Sequence, residues 1–98
     1  MPTKRPGRYW AYLLQCADGT YYAGSTNDVA GRIRLHNAGR GAKYVRGRAP
    51  ASLVYMKRYH SCSTAMAAEW RLKRLTRREK MRLALAYKRV KHGAPLHY

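Results

Sequence analysis

YWAYLLQCADGTYYAGS, residues 9–25, decides the fold. Two runs dense in aromatic and aliphatic residues flank Ala17-Asp18-Gly19, which is turn chemistry, so residues 9–16 and 20–25 are expected to pair as a β-hairpin. Loop length then fixes which side chains share a face. A two-residue loop, Asp18-Gly19, would set Gln15 against Tyr22 and place Tyr12 and Tyr22 on opposite faces. A three-residue loop, Ala17-Asp18-Gly19, sets Leu14 against Tyr22 and puts both tyrosines on one face. Gly19 then supplies the left-handed residue of a type I turn with a G1 bulge.

Outward from the hairpin, Asn27 or Asp28 can cap a helix running to about Asn37, with Gly39 placed to end it. Arg32 and His36 lie four residues apart in that helix and project together, which points to an anion between them. GRGAKYVRGRAP, residues 39–50, reads as a loop with a basic face in which Arg40, Lys43, Arg46 and Arg48 surround Tyr44. Residues 52–59 read as a third strand. A helix from about Ser63 to about Leu75 follows, and the T-x-x-E pair Thr76 and Glu79 starts another that runs to about Val90. The order β-β-α-β-α-α is that of a small α+β domain. Residues 1–8 read as a basic flexible arm, 9–91 as the domain and 92–98 as a mobile tail.

The chain has 98 residues, enough for one domain. Its formal charge of +17 disfavours compaction unless a polyanion or salt neutralises it, which makes nucleic acid the leading partner. No apolar run approaches the roughly 20 residues needed to span a bilayer, and no signal-peptide pattern follows the N-terminus, so a cytoplasmic protein is expected. Cys16 and Cys62 lack metal-ligand spacing and read as free thiols.

Of the four carboxylates, Asp18 belongs to the hairpin turn, Asp28 to a helix start and Glu79 to the capping box. Glu69 is left over. A helical rotation of 100° per residue sets it between Ala65 and Leu72 on one side and Met66 on the other, at the margin of the apolar face. A carboxylate there needs a partner. It is either an ion pair with Lys73, four residues on, or a metal ligand.

Tyr12 in WAY, Tyr22 and Gly24 in YAG, then Arg32, His36 and the distant Glu69 together resemble the GIY-YIG nuclease family, over about Tyr9 to Leu83. DGTYY, HNAGRGAKYVRGR and AAEWRLKRLTRREK look most like its small single-domain bacterial members, the YhbQ-like group. The resemblance implies a three-stranded antiparallel sheet flanked by helices, and cleavage of DNA strands to leave 5′-phosphate and 3′-hydroxyl ends. By the same resemblance Tyr12 is the general base, with His36 accepting or sharing its proton, and Tyr22 contacts the scissile phosphate or orients the attacking water. Arg32 steadies the growing phosphate charge, and Glu69 holds one divalent ion, Mg²⁺ or Mn²⁺.

Two departures accompany the match. The residues before the key tyrosine and glycine differ from those in the family's name, and residues 70–98 contain no asparagine, which many relatives carry beyond the glutamate helix. A nucleic-acid-binding module with weak or no turnover is the alternative reading. Arg40, Lys43, Tyr44, Arg46, Arg48 and Lys73 read as nucleic-acid contacts; charge alone does not separate DNA from RNA. Tyr44 can stack a base, which suits single-stranded or branched DNA, or it can pack beneath its own loop.

Overall fold

Cys16 N–H donates to the Thr20 carbonyl and Gly19 N–H to the Cys16 carbonyl, which closes the three-residue loop with Gly19 at φ 84°. Asp18 fastens the turn by accepting from the Thr20 backbone and hydroxyl. Leu14 consequently pairs with Tyr22 and Tyr12 with Gly24, the register that sets both tyrosines on one face.

The computed structural model describes residues 8–91, so the flexible arm expected over residues 1–8, apart from Arg8, and the mobile tail expected over 92–98 lie outside it. Its order is β1 (Tyr9–Gln15), β2 (Tyr21–Thr26), α1 (Val29–Asn37), β3 (Ser52–Tyr59), α2 (Cys62–Lys73) and α3 (Arg77–Lys91). The three strands form an antiparallel sheet in the order β2-β1-β3, which leaves β2 at an edge.

Alternation along β1 divides the core in two. Ala11 and Leu13 point to the face covered by Ala68 and Leu72 of α2 and Leu83 of α3, while Tyr12 and Leu14 point to the face covered by Ile33 of α1 and Val45 of the basic loop. The pairing of β1 with β3 slips between Leu13 and Leu14, leaving Val54 without a partner in the ladder. Strict alternation breaks there, and Val54 and Tyr55 both pack toward the α2 side.

Helix ends follow from short polar side chains. Asp28 is the cap of α1, accepting from the Gly31 N–H. At the other end Gly39 and Arg40 donate to the His36 and Leu35 carbonyls, a Schellman closure. Thr76 and Glu79 form the reciprocal box of α3, with bonds of 2.8 and 3.1 Å. α2 begins earlier and stops earlier than the span of about Ser63 to Leu75 read from the sequence. Ser61 caps it through Thr64, a pair of hydroxyl residues in place of the T-x-x-E pattern, and Arg74 closes it just ahead of the Thr76 cap.

Candidate active site

Tyr12, at 2% exposure, lays its ring across Gly24, the residue paired with it on β2. A Cβ at Gly24 would collide with the Tyr12 hydroxyl and ring carbon. Gly24→Ala is therefore expected to cost about 1–3 kcal/mol through overpacking and to displace the phenol, checked by urea denaturation and by loss of the Tyr12 hydroxyl resonance.

His36 comes up beneath Tyr12 from the last turn of α1 and is 1% exposed. Its Nδ1 accepts from the Ala42 N–H at 3.2 Å, and its Nε2 lies 3.3 Å from the Tyr12 hydroxyl. Burial, followed by the nearby Arg32 charge, lowers the His36 pKa, so the ring is neutral at neutral pH. A neutral imidazole that accepts at Nδ1 carries its proton on Nε2. His36 therefore donates to Tyr12. Of the two forms of help read from the sequence, in which His36 accepts or shares the phenol's proton, this hydrogen bond matches the sharing one. The cause is the Ala42 amide, delivered by a loop so close to the ring that a Cβ at Gly41 would strike Nδ1.

An aromatic row continues outward from this pair. Tyr22 meets His36 edge to face at 5.2 Å, and Tyr44 stacks on Tyr22 at 6.1 Å with 23° between the planes. Tyr44 thus packs on Tyr22 and yet stays exposed. Arg48 lies 4.2 Å from the Tyr44 ring centre, donates to the Tyr44 carbonyl and pairs with Asp18 at 3.0 Å. Its role in the structure is to tie the basic loop to the hairpin. Arg40, Lys43 and Arg46 stand exposed on that loop.

Glu69 approaches from the other side of the sheet. Ser25 Oγ donates to its Oε1 at 2.6 Å and the Lys73 ammonium holds its Oε2 at 2.7 Å. The ion pair read from the sequence is thus present, and Ser25 is a partner that the sequence did not reveal. Because β2 is an edge strand, the Glu69 charge still reaches around it. It helps raise the pKa of Tyr22, after burial, and also acts on Tyr12. Tyr12 is pushed far above the ordinary tyrosine value by burial first and by Tyr22 second, with Arg32 opposing. Arg32 itself is exposed one turn before His36, and its charge acts on Tyr12, Tyr22 and His36. An open groove of about 240 Å³ wraps this edge, lined by Tyr21, Tyr22, Ala23, Tyr44, Lys73 and Lys80.

Asn37 follows His36 but serves the fold. Its side chain donates to the Ala51 carbonyl and accepts from the Ala51 N–H, clamping the end of the basic loop. Among the described residues no three His, Cys, Asp or Glu side chains cluster as a metal cage, and no helix is long and apolar enough to cross a membrane. Cys16 and Cys62 are free thiols.

The model of the GIY-YIG catalytic domain matches residues 8–82. The UPF0213 protein VNG_2274C of Halobacterium salinarum is 51% identical over 69 residues, which cover 70% of this chain and 90% of that protein. The solution NMR structure of the UPF0213 protein BH0048 from Bacillus halodurans is 44% identical, covers 80% of this chain and 83% of that one, and superposes with a TM-score of 0.50. That of EF2693 from E. faecalis is 32% identical over 97% of this chain and all of that one, with a TM-score of 0.56. The chain belongs to the GIY-YIG family, a family of nucleases, among its small YhbQ-like, UPF0213 members.

Proposed function

We propose that this protein is a divalent-metal-dependent DNA endonuclease of the cytoplasm that hydrolyses phosphodiester bonds, with a preference for single-stranded or branched DNA. The observation that carries the reading is the convergence at the β2 edge. Tyr12, Tyr22 and His36 touch there, and the charges of Arg32 and Glu69 act on the same phenols.

In this reading the Tyr12 phenolate takes a proton from the attacking water. His36 Nε2–H and the Arg32 cation both favour that phenolate. The water oxygen bonds to phosphorus while the bond to the 3′ oxygen breaks, and the departing 3′ alkoxide takes a proton from solvent, which leaves 5′-phosphate and 3′-hydroxyl ends. Arg32 opposes the charge that builds on the phosphate, and Tyr22 orients the water or the phosphate. Arg40, Lys43 and Arg46, with Tyr44, hold the flanking strand.

Mg²⁺ or Mn²⁺ bound at Glu69 would polarise the phosphoryl oxygen and neutralise the departing alkoxide. The donor set fits such an ion when it is shared with the substrate, because Mg²⁺ is commonly held by one or two carboxylates together with water and phosphate oxygens. Glu69 retains 21% of its side-chain exposure, and Lys73, which is more exposed, is the group that would give way.

A nicking assay with Mg²⁺ on single-stranded, branched and duplex DNA of matched length tests the proposal. Cleavage of the single-stranded or branched forms ahead of duplex, falling steeply with salt, is the expected result. Tight binding without cutting would favour the binding-module reading, which the engaged Glu69 oxygens and the raised Tyr12 pKa also suit.

A further inference from the structure

The fold buries Ala65, Ala68 and Leu72 of α2 and turns Trp70 outward, where the indole is 59% exposed. Met66, one turn earlier on the same face, is 58% exposed, and the Arg74 guanidinium, one turn later, lies 4.6 Å from the indole centre. Methionine, tryptophan and arginine thus follow one another at four-residue steps on a face that packs against none of the sheet. Two large exposed apolar side chains side by side, rimmed by a guanidinium, form the kind of patch that marks an interaction surface.

We infer that the stripe Met66-Trp70-Arg74 is a stacking platform for a single nucleic-acid strand, carrying the bases next to the nucleotide engaged at Glu69. The inference rests on the nuclease reading. Three observations select the occupant. The surroundings are cationic, since Arg71, Arg74, Arg77 and Arg78 cluster at the end of α2 and the start of α3, where the only acids are Glu69 and Glu79. Both acids are engaged, one by Ser25 and Lys73 and the other by its capping bonds to Thr76. A second copy of the chain would bring +17 against +17, which opposes self-docking. Trp70 also directly follows Glu69, and Lys73, one turn on in α2, lines the groove at the β2 edge. An indole beside a guanidinium offers any base a π face while the neighbouring arginines reach its phosphates.

The test is a fluorescence-anisotropy titration of labelled oligothymidylate and of a duplex of equal length, at fixed ionic strength with chelator present. Trp70→Ala is expected to weaken single-strand binding by roughly 5- to 150-fold, the range of one lost stacking contact. Duplex binding should fall by less, and Trp70→Tyr, which keeps a ring, should recover most of the affinity. Thermal melting of Trp70→Ala should match the wild type, since the indole supports little of the core. A single-strand loss below about twofold, or equal losses for both DNA forms, would overturn the inference while the nuclease reading stands. A wild type that binds no strand would overturn both. A concentration-dependent dimer by sedimentation that Trp70→Ala abolishes would assign the stripe to a second copy and overturn the inference.

Discussion

Glu69→Gln is expected to reduce metal-dependent cleavage by at least about 100-fold while single-stranded DNA binding stays within about threefold of wild type. The amide is nearly isosteric with the carboxylate, and Ser25 Oγ can still donate to its oxygen. What disappears is the negative charge that holds a divalent ion. Lys73 is half exposed, so losing its ion pair costs at most about 1 kcal/mol, and the freed ammonium can meet a phosphate instead. Binding can therefore rise. If Glu69 served only to pair with Lys73, cleavage by the variant would equal that of the wild type, and a small change in melting temperature would be the whole effect.

Tyr12→Phe should lower cleavage by about 10²- to 10⁴-fold, the usual contribution of a positioned acid or base. The ring keeps its place over Gly24, so the core stays filled. His36 Nε2–H loses its acceptor, at a cost of about 1–3 kcal/mol visible in urea denaturation. The same residue fixes the pH dependence of the wild type. Because burial raises the Tyr12 pKa, the protonated phenol dominates throughout the neutral and mildly alkaline range. The phenolate fraction then grows tenfold per pH unit. Single-turnover rates should accordingly rise with a slope near one from about pH 6 to about pH 9, without a plateau. A flat profile there would remove Tyr12 as the base.

Most of what the sequence disclosed rests on contacts between near neighbours. The left-handed Gly19, the Asp28 cap and the Thr76–Glu79 box each involve residues at most four apart, so the residue types announce them. The hairpin register followed from loop length alone, and it set Tyr12 and Tyr22 on one face. What stayed hidden depends on distant pairs. Ser25 and Glu69 are 44 residues apart, and only the packing of α2 beside an edge strand brings them to 2.6 Å. The direction of the His36 to Tyr12 hydrogen bond is set by a backbone amide, which has no sequence signature. Arg48 has the composition of a phosphate contact but is occupied by Asp18 and the Tyr44 carbonyl. For Glu69 the spacing showed both readings, and the structure adds that Lys73 occupies the oxygen a metal would seek.

The central claim, that this site hydrolyses a phosphodiester bond, is tested most directly by single-turnover cleavage of an end-labelled strand in oxygen-18 water with Mg²⁺. Product ends are read by mass spectrometry, with wild type and Glu69→Gln side by side. The account predicts one oxygen-18 atom in the new 5′-phosphate, an unlabelled 3′-hydroxyl, and negligible product from the variant. No cleavage by the wild type, or the same labelled products at the same rate from Glu69→Gln, would contradict it.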